Sequence, residues 1–462
     1  MKIAFHTLGC KVNQYESEAM ALMFREAGHE IVGERDFADV YVVNTCTVTA
    51  VADKKSRQYI RRMKKINPEA IVAVTGCYAQ ISPGEVAAVE GVDIVTGTNE
   101  KSTLLEYVEE TARQRAEGCA GSLTAVLPYE ELDEFRDMGI VSGTENRTRA
   151  YIKVQEGCNR FCSYCVIPYA RGPVRSRPLE NIVAEAKALI DSGYRELVLT
   201  GINTAMYDME NRNMYAEPDE AAAAPEGEEA FGIEKAIAAV SEIPGDFRIR
   251  LSSLEPSVVN ADYVRRLFKY DKLCRHLHMS AQSGSDDILA AMNRPYSRRQ
   301  YEELAETVCG FDPVYGLSTD IIVGFPGEKE KDFEDSCRLV AHCAFCKTHI
   351  FRYSKRPLTK AAEMDSQVSP QVKDRRSEEL QRIAGESARA FFEMNLSLAA
   401  KGRTERVLLE EITEDGKYIT GYTGNYIRTY VPYSEELELN TFVTTRFTDY
   451  MRDGLEAAVV KG

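Results

Sequence analysis

No run of 18 or more apolar residues occurs in the 462-residue chain, so no segment is expected to span a membrane. Met1 to Gly9 has no long apolar stretch of the secretory kind and reads as a strand. A surplus of positive charge is also missing. The net charge is −15, which at face value excludes a nucleic-acid partner. Its distribution weakens that exclusion, because residues 208–235 hold nine Asp or Glu against two Lys or Arg. Within them, 217–229 has no apolar periodicity and reads as a solvated acidic insertion. Conversely, Lys54 to Lys65 carries seven Lys or Arg and no acid; the plain reading is the wet face of a helix. Twelve cysteines without a secretory signal favour reduced thiols and metal ligation over disulfides, and a cytoplasmic location is expected.

What is present is a composition of 44% apolar and 28% charged residues, long enough for three domains. Residues 2–8, 40–44, 71–75 and 92–95 read as short buried parallel strands, with helical patterns at 16–27 and 54–65 between them. Alternation of this kind predicts a parallel sheet with helices on both faces. Residues 114–146 lose periodicity and read as a linker. From 151 a second alternation begins, with strands at 151–155, 196–200, 248–252, 276–281, 318–323 and 348–353. Six βα units predict an incomplete version of the eight-fold barrel, whose chemistry sits at the carboxyl ends of its strands. After a helix around 372–395, residues 401–462 show short strands and turn signals, the pattern of a small antiparallel barrel. The expected domains are 1–140, 145–385 and 396–462.

Cys158, Cys162 and Cys165 form a C-x3-C-x2-C triplet with no fourth Cys or His nearby. Thiolates are soft ligands that suit iron–sulfur clusters. Three of them on a four-iron cluster leave one iron open. A zinc site completed by a distant residue, or unligated buried thiols, are the alternatives. In the first domain each of three strands runs directly into a cysteine: Cys10, Cys46 and Cys77. Ligands of open α/β sheets bind outside the carboxyl ends of the strands, so these thiols are expected to converge on a second cluster. Coincidental core cysteines are the competing reading. Cys343 and Cys346 have metal-like spacing but sit at a helix-to-strand junction.

The triplet, with aromatic Tyr164 before its last member, resembles the signature of radical S-adenosylmethionine enzymes. The stretches 7–16 (TLGCKVNQYE), 43–49 (VNTCTVT) and 321–328 (IIVGFPGE) resemble the methylthiotransferases, most of all those acting on threonylcarbamoyladenosine in tRNA. The resemblance covers nearly the whole chain. It implies a flavodoxin-like parallel sheet, a partial (β/α)6 radical barrel and a C-terminal RNA-binding barrel of the TRAM type.

It also implies two 4Fe–4S clusters and S-adenosylmethionine, chelated by the open iron at Cys158, Cys162 and Cys165 and cleaved by one electron. The resulting radical would take hydrogen from C2 of the modified adenosine beside the anticodon, and the Cys10, Cys46 and Cys77 cluster would hold the sulfur. S-adenosylmethionine contacts are expected at Tyr164, Gly201, Ile202, Asn203, Ser253, Glu255, Gln282, Gly324 and Phe325. Arg175, Arg177, Arg294 and Arg356 are candidate phosphate contacts.

In residues 397–462 eight basic residues face eleven acidic ones, so RNA contact there needs a local patch such as Lys401, Arg403, Arg406 and Arg428. Tyr418, Tyr422, Tyr426 and Tyr430 are candidates for stacking on bases, against half-buried packing. Pro357-Leu358-Thr359 lacks the family's usual glycine. The expected partners are a tRNA anticodon stem-loop and a one-electron donor protein, with the chain acting as a monomer. The rivals are the same chemistry on isopentenyladenosine or on a ribosomal-protein aspartate, and a non-enzymatic iron–sulfur RNA-binding protein.

Overall fold

The computed structural model describes residues 1–119, 121–139, 148–211, 218–223 and 229–460. Residues 217 and 224–228 of the acidic insertion lie outside these. The first sheet is built from β1 (Lys2–Thr7), β2 (Glu30–Val32), β3 (Val40–Thr45), β4 (Ile71–Gly76), β5 (Ile94–Thr96) and β6 (Leu123–Ala125). All pairings are parallel, in the order β2-β1-β3-β4-β5-β6. β3 and β4 are buried along their whole length, as central strands covered on both faces must be. Helices α1 (Lys11–Glu26) and α2 (Ala50–Ile66) follow β1 and β3. Thr49 caps α2 by accepting from Ala52 N–H. The stretch expected to be a linker instead supplies β6, the edge strand. Three residues are too few to show alternation in a sequence.

The second region begins with β7 (Arg149–Lys153), followed by a ribbon of β8 (Gln155–Glu156) and β9 (Arg175–Ser176) that clasps the loop carrying the cysteine triplet. β10 (Glu196–Thr200), β11 (Arg248–Leu251), β12 (Ser253–Leu254), β13 (His276–Met279), β14 (Gly316–Val323) and β15 (Lys347–Arg352) complete it. β11 and β12 are one strand interrupted at Ser252. The order is therefore β7-β10-β11/β12-β13-β14-β15, six parallel positions of an open barrel. Alternate residues (Ala150, Ile152, Leu197, Leu199, Ile249, Leu251, Leu277, Met279, Leu317, Ile321) pack the outer helices in one apolar core. The residues between them turn to the lumen and are mostly polar: Lys153, Glu196, Arg250, His278, Ser318, Asp320 and His349.

The helix Pro370–Ala400 leads to a closed five-stranded barrel of β16 (Glu405–Ile412), β17 (Tyr418–Thr423), β18 (Arg428–Pro432), β19 (Phe442–Met451) and β20 (Gly454–Val459). It sits on the amino ends of the central strands. Arg149 at the start of β7 binds Glu410 with two hydrogen bonds from Nη2, and Tyr422 lies 4.7 Å from the Arg149 guanidinium. Tyr426 is 4.7 Å from Arg250 and 4.7 Å from the His276 ring. These tyrosines are packing rather than free stacking platforms, and Tyr430 is buried. Arg403, Arg406 and Arg428 are paired with Asp312, Asp246 and Glu411, so they do not form an open basic patch.

Candidate functional site

The N-terminal sheet stands in the open side of the central barrel. On one flank, Tyr15 of α1 donates to Glu185 (3.3 Å) and Arg177 donates to the Tyr15 hydroxyl (3.4 Å). On the other, Arg356, just after β15, donates to Thr47 and to Asp53 (2.6 Å each), and Ala50 N–H donates to Ser354 Oγ (3.2 Å). Both sheets therefore turn their carboxyl edges toward one space, the edges on which the six strand-end cysteines sit.

Cys10, Cys46 and Cys77 follow β1, β3 and β4 directly. Gly9 and Gly76 precede two of them with φ of +107° and +98°. A Cβ on Gly9 would lie 2.8 Å from Cys46 Cβ, and one on Gly76 would lie 2.5 Å from Thr45 O, so only glycine lets these loops approach. Asn13 braces them, donating to Leu8 O (2.7 Å) and Thr45 O (2.9 Å), while Asn44 donates back to Asn13 O (2.9 Å). Burial, reinforced by Cys77 and Cys10 nearby, pushes the Cys46 thiol up to about 12; burial also raises Cys77.

The second triplet occupies the loop after β8. Cys158 N–H donates to Gly172 O (3.0 Å) and Cys165 N–H to Cys162 O (2.9 Å). Phe161 adopts φ +44°, and Asn293 holds its carbonyl at 3.2 Å. Burial first, then proximity to Cys162, pushes Cys158 up to about 12; burial raises Cys162 and Cys165 as well. Thiols in such surroundings keep their protons until a metal replaces them. Tyr164 and Cys165 line a cavity of about 210 Å³ together with Val48, Gln282, Asp320 and Phe351. One wall thus comes from each sheet.

Arg171 was not singled out by any motif, yet it follows one triplet in the chain and contacts the other. It ends the helix Ile167–Arg171 that follows Cys165, and its Nε–H donates to Cys77 Sγ (3.2 Å). Its Nη1 donates to Glu16 (2.6 Å) and Glu156 (3.1 Å), and Nη2 to Asn13. Lys101 and Lys153 also bind Glu16. All five charged side chains are buried. Burial alone would raise the Glu16 carboxyl, but Arg171, Lys101 and Lys153 hold it well below the usual carboxylate range.

The structure distributes the expected cofactor residues unevenly. Gly201 and Ile202 are partly exposed at the end of β10. Asn203 is buried with its Oδ1 unpaired, an acceptor without a protein donor among the described residues. Ser253 is exposed, and Gln282 lines the cavity beside Cys165. Tyr164 accepts a hydrogen bond from Arg294 (2.7 Å).

Glu255 engages through one oxygen: its Oε1 is taken by Arg294 and by the Ser257 hydroxyl (2.6 Å). Phe325 is fully buried against Tyr353 and does not reach the cavity. Gly324 serves a turn at φ +71°. A Cβ there would meet Lys373 at 2.3 Å, and its N–H donates to Glu328 (2.6 Å), itself paired with Arg376. The 321–328 motif is therefore a structural turn. Arg175, Arg177, Arg294 and Arg356 are likewise buried and engaged with protein acceptors, not placed for phosphates.

An incomplete parallel barrel with a three-cysteine loop at its strand ends defines the class of radical S-adenosylmethionine enzymes. The Radical SAM superfamily matches residues 152–340, and the uncharacterized protein family UPF0004 matches residues 2–97. The chain is 40% identical over 445 residues to the threonylcarbamoyladenosine tRNA methylthiotransferase of Bacillus subtilis, covering 94% of this chain and 91% of that one. It is 36% identical to the enzyme of that name from Aquifex aeolicus (92% and 96% covered). It is 34% identical to a tRNA-2-methylthio-N(6)-dimethylallyladenosine synthase of Clostridium botulinum (91% and 90% covered). A radical S-adenosylmethionine methyltransferase structure from Kitasatospora setae shares the fold, with TM-score 0.53 at 16% identity over 78% of this chain and 75% of that one. The chain belongs to the radical S-adenosylmethionine methylthiotransferase family. It is an enzyme that transfers a methylthio group, with S-adenosylmethionine and two 4Fe–4S clusters as cofactors.

Proposed function

We propose that this enzyme inserts a methylthio group at C2 of N6-threonylcarbamoyladenosine beside the anticodon of tRNA. The observation that carries the reading is that two cysteine triplets, from separate sheets, sit on facing sheet edges, with Arg171 of the helix after Cys165 donating to Cys77. The three-thiolate donor sets and the unpaired Asn203 Oδ1 fit the cofactors of the family. Cys158, Cys162 and Cys165 hold one cluster, and Cys10, Cys46 and Cys77 hold the other. When bound at the first, S-adenosylmethionine supplies one-electron chemistry strong enough to break a C–H bond. Gly201, Ile202, Asn203, Ser253, Gln282 and Tyr164 surround it, and Arg294 fixes Tyr164 and Glu255 behind that wall. Arg171 orients Cys77 and supplies positive charge beside the second cluster.

The stem-loop approaches over α2. Its exposed Lys54, Lys55, Arg61, Arg62 and Lys65 form a cationic face, and Val48 at the foot of that helix lines the cavity. Phe351 is 45% exposed at the mouth and offers a ring to an unstacked base. A one-electron donor protein supplies reducing equivalents to a cytoplasmic monomer. Among the described residues no helix is long and apolar enough to cross a membrane. The dimethylallyl substrate named for the Clostridium botulinum relative fits less well, because the lumen beneath the cavity is lined by charged and hydroxyl groups. Nucleoside mass spectrometry of tRNA from a deletion strain tests the reading. Loss of the methylthio group from threonylcarbamoyladenosine is expected, and an unchanged profile discards the substrate.

A further inference from the structure

Below the cysteines, three neighbouring strands place one row of polar side chains across the barrel lumen. His278 of β13 stands opposite Ser318 of β14, and Asp320 of β14 opposite His349 of β15. His278 shares hydrogen bonds with Ser318 Oγ (2.9 Å) and Asp320 Oδ2 (3.2 Å), and Ser280 donates to the same Asp320 oxygen (2.8 Å). One ligand atom from each of His278, Asp320 and His349 lies within 4.8 Å of the others. The His349 ring lies 5.8 Å from that of His278 and has no hydrogen-bond partner among the described residues. Asp320 also lines the cavity beside Cys165 and Gln282, so the row begins at the cavity that Cys165 lines.

From the opposite side, the exposed Lys11 next to Cys10 lies near the same strands. It is near enough to His276, His349 and Arg250 for their charges to interact. Lys11 forms no ion pair among the described residues. The row and Lys11 together thus offer two unpaired basic groups, Lys11 and His349, and an acceptor pair, Asp320 with Ser318.

This set matches the N6 substituent of the substrate proposed above group for group. A threonylcarbamoyl arm carries one carboxylate, one hydroxyl and the N–H groups of a urea. A dimethylallyl arm carries none of these and would bury hydrocarbon against charges, which gains nothing and strands their hydration. We propose that His278, Asp320, His349 and Lys11 form the receptor for the polar N6 arm of the adenosine. Lys11 and His349 take its carboxylate, and Asp320, oriented by His278 and Ser280, takes a hydroxyl or urea N–H. The inference rests on the substrate reading and assigns which residues select it.

The test uses the anaerobically reconstituted full chain and two synthetic anticodon stem-loops, identical except that one carries threonylcarbamoyladenosine and the other unmodified adenosine. Fluorescence anisotropy gives both affinities. Wild type should favour the modified loop at least tenfold. Asp320→Asn, His349→Phe and Lys11→Met should each lose most of that preference, read as the ratio of the two affinities with iron content counted for each variant. Replacing the threonyl carboxylate by a carboxamide should weaken wild type as much as it weakens Asp320→Asn, yet leave Lys11→Met nearly unaffected.

Variants that retain the full preference overturn the assignment even if the enzyme modifies threonylcarbamoyladenosine. So does a stoichiometric non-iron metal that is lost on His349→Phe with selectivity intact. A wild type that methylthiolates other adenosines but never this one shows instead that the substrate reading itself has failed.

Discussion

Replacing Arg171 by methionine removes the side chain that links the helix after Cys165 to Cys77, and the structure sets the size of the effect. Three buried cations (Arg171, Lys101, Lys153) face two buried carboxylates, Glu16 and Glu156. After the change two cations face two carboxylates, so Glu16 keeps Lys101 and Lys153, and Glu156 keeps Lys153. Breaking a buried ion pair costs about 3–5 kcal/mol when a charge is stranded; here the two remaining cations balance the two carboxylates, which puts the loss near 3 kcal/mol. With a urea slope of about 2–3 kcal/mol per molar, the unfolding midpoint should fall by roughly 1–1.5 M.

The lost N–H to Cys77 Sγ predicts a second readout. A hydrogen bond to a charged group contributes about 1.5 kcal/mol, and ~59 mV corresponds to 1.4 kcal/mol for one electron. In a chain lacking Cys158, Cys162 and Cys165, the potential of the remaining cluster should therefore drop by about 60 mV on Arg171→Met. Spectroscopic titration measures it. An unchanged midpoint together with an unchanged potential would refute the claim that Arg171 ties the helix after Cys165 to Cys77.

Two smaller perturbations follow from local geometry. Leu358 sits at φ +66° with its side chain 61% exposed, a left-handed conformation that costs a non-glycine residue about 1–2 kcal/mol. Leu358→Gly should raise stability by about 1 kcal/mol in urea titration, and a destabilised variant would show that the leucine makes compensating contacts. His276 is buried, bonded to Ser318 Oγ (3.0 Å), and held well below its ordinary pKa first by burial and then by Arg250, His278 and Lys11. Below pH 6.5 the unfolded chain gains a proton that the folded ring refuses, so this group's contribution falls as pH falls, by up to about 1.4 kcal/mol per unit. His276→Gln should flatten the decline between pH 6.5 and 5.5. An equally steep decline in the variant would mean that another group carries it.

Much of the site was legible because the chemistry falls where strands stop. Cys10, Cys46 and Cys77 each end a strand in the sequence, and the structure brings those ends to one edge. The barrel strands were legible despite their polar residues, since Leu277 and Met279 alternate with His276 and His278. What escaped was pairing over distance. Nothing near Glu16 or Arg171 in the sequence says that they meet across 155 positions. Burial of Arg175, Arg177, Arg294 and Arg356 was invisible for the same reason, because an arginine reads as surface until its partner is known. Phe325 looked like a ligand-facing ring because it follows a strand end, but the turn made by Gly324 and Glu328 folds it into the core. The edge strand β6 and the helix Leu104–Ala116 were missed, one too short to show a period and the other hidden by charged residues on its wet face.

The central claim is that two separate triplets, on facing sheet edges, each hold a cluster. Iron and labile sulfide counted after anaerobic reconstitution test it most directly. The wild-type chain should bind about eight irons, and changing either Cys158, Cys162 and Cys165 or Cys10, Cys46 and Cys77 to Ala should leave about four. A full count in either triple variant, or stoichiometric zinc in place of iron, would contradict it.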